Sequence, residues 1–398
     1  MTVSALPPSF WQLLYPWLVH LVVARAVQLS LIFHAIASHT PSAWVSAMLA
    51  AGATASTLMT VPVGRLFNRL GPGHINRIAT SFCLIGTFGL YCLPLDFEHI
   101  YCSILIWIIV GQCLLFTSVA SYRGMGALFT GKQRLVAFAR MNIVSNISDI
   151  VTPVAVGCLF FLNAESIPIV AGLLALTGFC MPRPKLLTSD SSSSSPASIS
   201  LLGNVKKVWG TRPVFLAILI GATIHSILFV FDLIIPITGT DLNLTSTQVG
   251  SILSTLALSQ TIASLYLSLH PVQSDRVFNQ FLNSLFLGSV ALFFAFMAQS
   301  FISLLVVTLI IGLGFGMIQP LSMSLIYHHT EQASVGDAVS IRLLLNSLGR
   351  IFAPMVLALS LSYMSPSTFL SVIGILILCV VGILKWLYKT QILKGHSP

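Results

Sequence analysis

Four charged residues stand deep inside apolar stretches of the chain: Arg25, Asp149, Asp232 and Arg350. A charge at the centre of a membrane helix costs about 2.5–3.5 kcal/mol on insertion scales, so such residues pair or face a water-filled cavity. A carboxylate in low dielectric favours its neutral form, and a nearby arginine or a substrate can reset its proton occupancy. An arginine keeps its proton and can clamp a carboxylate or phosphate through two bonds. The chemistry on offer is therefore proton coupling by Asp149 and Asp232 and substrate recognition by Arg25 and Arg350. The alternative is that these residues are structural ties fixing helix rotation.

Weaker candidates lie in the same stretches. His20, Gln28, Gln112, Asn142, Asn146, His225, Gln319 and Asn346 are candidate cavity residues, although polar side chains in bundles also serve as interhelical glue. His20, His34 and His225 belong to the residue type that titrates near neutral pH. His34 falls near the outer membrane interface, and His328 and His329 fall at a cytoplasmic helix end with no expected transport role. Arg342, near the cytoplasmic end of its run, reads as a snorkelling anchor. The seven cysteines form no CxxC, and Cys92 and Cys102 flank one outer loop, where apolar packing is preferred over a disulfide. No metal site, cofactor or nucleophile motif is expected, and so no enzyme. The 25 phenylalanines suit bundle packing or an aromatic-lined pocket.

The elements that must carry these residues are membrane helices. Only 7% of the 398 residues are charged and 56% are hydrophobic, and the mean hydropathy is +0.94. Water cannot be the main solvent of such a chain. Twelve apolar runs are long enough to cross a bilayer: 11–36, 42–63, 75–94, 100–122, 137–162, 166–181, 213–237, 246–269, 277–298, 301–326, 338–363 and 367–389. Basic residues fill alternate loops: Arg65, Arg69 and Arg77; then Arg123, Lys132, Arg134 and Arg140; then Arg183, Lys185, Lys206, Lys207 and Arg212; then Lys385, Lys389 and Lys394. The intervening loops hold Asp96, Glu98, Glu165 and Asp241. The positive-inside rule then puts both termini in the cytoplasm, and the formal charge of +9 sets orientation and meets lipid headgroups rather than nucleic acid.

The two sets of six runs read as copies. Residues 42–49 align with 246–253 at an offset of 204, while Gly111, Ser121 and Pro153 fall on Gly312, Ser322 and Pro354 at an offset of 201. Asp149 and Arg350 each precede these prolines by four residues, and Arg25 and Asp232 fall within about one helical turn of equivalence. The charges are thus swapped between halves. This organisation predicts an N-terminal six-helix bundle over 1–181, a Ser-rich cytoplasmic linker over 182–212 and a C-terminal six-helix bundle over 213–398. A site at mid-depth is expected between such repeats. Ser191 to Ser195 are low-complexity, and Ile199 to Trp209 fit a short amphipathic helix on the inner leaflet.

One local motif joins this pattern: Gly64-Arg65-Leu66-Phe67-Asn68-Arg69-Leu70-Gly71, between the second and third runs. It is similar to the Gly-x-x-x-Asp-Arg-x-Gly signature of the major facilitator superfamily, which the chain resembles over nearly its whole length. The resemblance implies an all-α integral membrane protein, twelve transmembrane helices in two pseudo-symmetric bundles. It also implies a conformational latch at Gly64, Asn68, Arg69 and Gly71, with Asn68 standing where the family carries an acid. The fifth run has Pro153 and Gly157 of the family's antiporter motif but Thr152 in place of a glycine, and a plain proline kink explains those residues as well. The fourth run lacks the arginine of many proton antiporters.

In this family the first and fifth helices touch, as do the seventh and eleventh, which implies the pairs Arg25–Asp149 and Asp232–Arg350. The expected function is secondary active transport of a small organic solute by alternating access, coupled to protons and directed to export of a drug or metabolite. Uptake or exchange of an organic anion, such as a carboxylate-bearing metabolite or siderophore, is the alternative, followed by a lipid flippase. The expected setting is a monomer in a bacterial inner membrane, with the lipid bilayer and protons as its other partners.

Overall fold

A computed structural model describes residues 8–95, 97–128, 131–180, 212–270, 276–329 and 335–393. The linker, the segment Ile199 to Trp209 and the side-chain surroundings of Gly64, Asn68, Asn142, His328 and His329 lie outside the described residues. The described chain is helical throughout, with no strand. The helices are α1 (Pro8–Ala37), α2 (Ser42–Cys92), α3 (Ile100–Leu128), α4 (Gly131–Asn163), α5 (Ser166–Cys180) and α6 (Arg212–Asp241). They continue with α7 (Ser246–Leu269), α8 (Val277–Phe293), α9 (Phe301–Gly316), α10 (Ile318–His329), α11 (Val335–Leu361) and α12 (Pro366–Leu393). Nine stretches among the described residues are long and apolar enough to cross a membrane, and the shorter Ser166–Phe179 is apolar too. Their outer faces carry large apolar side chains such as Leu58, Phe88, Leu162 and Trp386, as lipid-facing helices do.

The second and third runs both lie within α2, which is two helices meeting at Gly71, where φ is 72° and ψ is 170°. The motif's turn is therefore a single residue rather than the whole octapeptide: residues 64–70 remain helical, and only glycine readily adopts the backbone of position 71. The tenth run is one membrane-crossing stretch, Phe301–Ile326, in which the helical hydrogen bonding lapses for one residue at Met317, between α9 and α10, while its backbone stays in the helical region. Gly312, Gly314 and Gly316 weaken the helix before that point, and Pro320, early in α10, lacks an N–H to donate.

The described residues fall into two compact units, one within Met1–Ala197 and Thr245–Ser254, the other within Ser198–Leu244 and Thr255–Pro398. In the first, α1 packs against α3, α4 and α5, and α2 packs along α3. Phe10, Leu13, Leu14, Trp17 and Met141 form a buried cluster there. The first turns of α7 belong to this unit. Ser246 Oγ donates to Gly157 O at 2.9 Å and Ser254 Oγ to Ile150 O at 2.5 Å, so Gly157 serves a close backbone approach. In the second unit α6 packs against α10 and α11, α8 against α9 and α12, with Val214, Ile218 and Ile326 at one core. A Cβ on Gly314 would run into the backbone of Gly288, so α8 and α9 meet main chain to main chain.

Hydroxyl side chains inside these apolar helices are satisfied locally. Thr54, Thr57, Ser226 and Thr308 each donate to the carbonyl four residues back at 2.8 Å. The cysteine pairing differs from the alternative read at the outer loop: Cys92 and Cys102 are both free. The thiols that meet are those of Cys83 and Cys113, buried where α2 crosses α3, with 3.0 Å between their sulfurs.

Candidate functional site

In the first unit, α1 and α4 bring two of the four intramembrane charges together. Arg25 Nε lies 4.0 Å from Asp149 Oδ1, with the arginine 19% and the aspartate 46% exposed. That separation is charge pairing rather than a well-formed hydrogen bond. Arg25 Nη1 also donates to Gln28 Oε1 at 3.2 Å, one turn along α1. Gln28 is buried, so its amide dipole orients the guanidinium from the inside while Asp149 holds it from the more accessible side.

A second polar cluster of this unit is fully internal. His20 is 0% exposed, its Nε2 2.8 Å from Thr80 Oγ1 and its Nδ1 in contact with Thr117 Oγ1. Thr80 Oγ1 donates to Asn76 O at 2.9 Å, which leaves it to accept from His20 Nε2–H and assigns the tautomer. This is a closed network tying α1 to α2 and α3. His20 is thus bonded into the helix packing rather than lining a cavity. Gln112 is buried on α3 with Oε1 unpartnered, and Asn146 is half-buried on α4. The side chain of Asn142 lies outside the described residues.

In the second unit, Asp232 is buried on α6 and Arg350 half-buried on α11, and these helices pack together. Gly349 makes that approach close, since a Cβ there would run into Ser226 Oγ. His225, half-buried on α6, lies in the field of both Arg350 and Arg342. It stands 205 residues after His20, within one of the offset relating residues 42–49 to 246–253, so the two histidines occupy corresponding places in the repeats. Their surroundings differ: hydroxyls around the first, guanidinium charge around the second.

Arg342 is the correction of most consequence. A snorkelling arginine keeps its head in water. This one is 1% exposed and donates from Nη2 to Gln319 Oε1 on α10 at 2.5 Å. Seven positions after the start of α11, it is covered by α6 and α10 rather than reaching past them. Gln319 is itself exposed, and Asn346, one turn beyond Arg342, is buried with Oδ1 unpartnered. The sequence signal for this site was the co-occurrence of Gln319, Arg342 and Asn346 at comparable depth.

At the motif, Arg69 is exposed beside the bend at Gly71. A small apolar pocket in the second unit, lined by Phe231, Thr238, Leu304 and Leu370 among others, contains none of the candidate residues. No group of three or more metal-ligating side chains occurs among the described residues.

The model of the Major Facilitator Superfamily matches residues 100–354 and again 230–396. No curated protein matches the chain. Among solved structures, the chain is similar to a POT family transporter in complex with a thioalcohol-conjugated peptide, at a TM-score of 0.74 and 14% identity, covering 98% of each chain. It is also similar to a point mutant of the nucleoside transporter NupG, at a TM-score of 0.71 and 13% identity, covering 96% of this chain and 99% of that one. A bacterial homologue of the human lysosomal transporter Spinster, in an inward-facing and occupied conformation, matches at a TM-score of 0.68 and 13% identity over 99% and 100% of the two chains. At these identities the likeness is one of fold.

Proposed function

The chain belongs to the major facilitator superfamily, and on that premise we propose that this transporter moves a small organic solute by alternating access in exchange for protons. The observation that carries the proposal is the Arg25–Asp149 pair at 4.0 Å, a titratable carboxylate within reach of a fixed charge inside membrane-crossing helices. Asp232 and Arg350 supply the same two chemistries on α6 and α11. A carboxylate whose proton occupancy depends on a neighbouring guanidinium couples solute binding at the arginine to a change in proton occupancy at the acid. The direction proposed is export, on the strength of Pro153 and Gly157 in α4. The proposed setting is a bacterial inner membrane with both termini in the cytoplasm, from the alternation of basic loops.

The test is reconstitution into liposomes containing a trapped pH dye, followed by addition of pooled metabolites and drugs. A solute-triggered proton signal that disappears in Asp149→Asn or Asp232→Asn supports coupled transport and identifies the solute. Solute flux without any proton signal would remove the coupling from the proposal. Comparing right-side-out with inside-out vesicles reads the direction.

A further inference from the structure

The buried charges of the two units do not balance alike. In the first, Arg25 faces Asp149. In the second, Arg342 is as buried as any apolar core residue, yet among the described residues no carboxylate lies within 4.0 Å of it. Among the described residues, the hydrogen-bond partner of the guanidinium is a neutral amide oxygen, Gln319 Oε1, on Nη2. Its Nε and Nη1 are inaccessible and without a hydrogen-bond partner. A guanidinium has five N–H donors, and burying a charge with most of them unanswered is unfavourable unless an anion completes the set.

The place open to that anion is the one Gln319 Oε1 now takes on Nη2. Gly221 on α6 sits beside Nη2: a Cβ there would lie 3.3 Å from Nη2 and 3.1 Å from Ser322 Oγ, so any larger residue would crowd the nitrogen. Asn346, at i+4 from Arg342, is on the same face of α11 and brings a second unpartnered polar group. Gln319 is the exposed member of the set. Nη2 belongs to both bidentate edges of the guanidinium, sharing one with Nε and the other with Nη1. An oxyanion in the place of Gln319 Oε1 therefore gains a second N–H from one of them.

We propose that Arg342 is the anion-recognition residue of the second unit, and that a carboxylate or phosphate group of the transported solute displaces Gln319 Oε1 from it. The inference rests on the reading of the chain as a solute transporter and narrows its substrates to oxyanions. Gln319 then acts as a stand-in acceptor in the empty protein, which explains why an exposed amide is held at 2.5 Å from a buried cation.

The experiment uses the full chain in nanodiscs of neutral lipid. Thermal unfolding and calorimetry are run with sodium acetate, succinate, citrate, inorganic phosphate and glycerol phosphate, against sodium chloride and succinamide. At least one oxyanion should raise the unfolding midpoint of the wild type. Arg342→Gln should weaken its binding about tenfold or more. Gln319→Glu should abolish the anion effect while raising the midpoint of the unliganded protein, because it places a permanent carboxylate on the guanidinium. That second variant decides the matter if Arg342→Gln fails to fold. An absence of oxyanion stabilisation in the wild type, or stabilisation that persists in Gln319→Glu, overturns the proposal. Counterflow in proteoliposomes separates the two readings. Exchange of a neutral solute undiminished in Arg342→Gln sinks the anion site and leaves transport standing. Anion binding lost in Arg342→Gln, with no flux of any solute in the wild type, supports the site and sinks the transport reading.

Discussion

Arg25 on α1 and Asp149 on α4 stand 4.0 Å apart, joining two helices of the first unit that are distant in sequence. Breaking a fully buried pair costs about 3–5 kcal/mol because the surviving charge is left uncompensated. Asp149 is half exposed, so water offsets part of that loss, and about 1–2 kcal/mol is expected for Arg25→Gln or Asp149→Asn. The double variant should lose less than the sum of the two. Thermal unfolding of all four proteins in one detergent gives the coupling, and strictly additive losses would dissolve the pair.

His20→Ala should be among the more damaging single changes in the first unit. It empties a fully buried site and takes a partner from both Thr80 and Thr117. A loss of about 3 kcal/mol is expected from the cavity and the lost hydrogen bonds together. His225→Ala should cost less stability, since among the described residues no hydroxyl is bonded to that ring, and should instead alter solute binding beside Arg342 and Arg350. Measuring unfolding midpoints and solute affinity on both variants separates a packing histidine from one near the site.

Gly71→Ala isolates a purely conformational cost. Nothing lies within 4 Å of the added Cβ, so no clash contributes. The backbone at φ 72° and ψ 170° is nonetheless a region for glycine alone, and a penalty of about 1–3 kcal/mol follows. A stable Gly71→Ala protein with unchanged transport would show that the bend at this residue can move to a neighbour.

Gly314→Ala tests the opposite kind of glycine. Here the helical backbone is ordinary, and the obstacle is the main chain of Gly288, which cannot rotate away. Overpacking of this sort costs about 1–3 kcal/mol and should separate α8 from α9. A cysteine pair placed across these helices would report the separation as slower crosslinking.

How much of this is readable from residues alone depends on what each feature requires. The membrane-crossing runs are legible because lipid imposes a composition on every residue of a span, and Arg25 and Asp149 stand out for violating it. The one-residue lapse in helical hydrogen bonding at Met317 is not, since a run with three glycines and a proline is still apolar throughout. The partners of His20 are hidden for a different reason. Threonines satisfy themselves within helices, so Thr80 and Thr117 carry no mark that they meet a histidine 60 and 97 positions away. Arg342 reads as an anchor because snorkelling and burial begin from the same place in a sequence. Which occurs is decided by whether other helices, here α6 and α10, close over the side chain.

The contact between Arg25 and Asp149 also bears on how the protein is made. About 120 residues separate the two, and synthesis at ~5–20 residues per second puts roughly ten seconds between their emergence from the ribosome. For that interval α1 carries a guanidinium that lipid disfavours and that no carboxylate of the finished protein yet answers. The first helix can settle in its final place only when α4 arrives, so the pair times the closure of the unit around it. Cellular surveillance that removes helices with uncompensated charge would treat an Asp149→Asn chain as one whose assembly never ended. Its abundance after a pulse of label, and not only its activity, should fall.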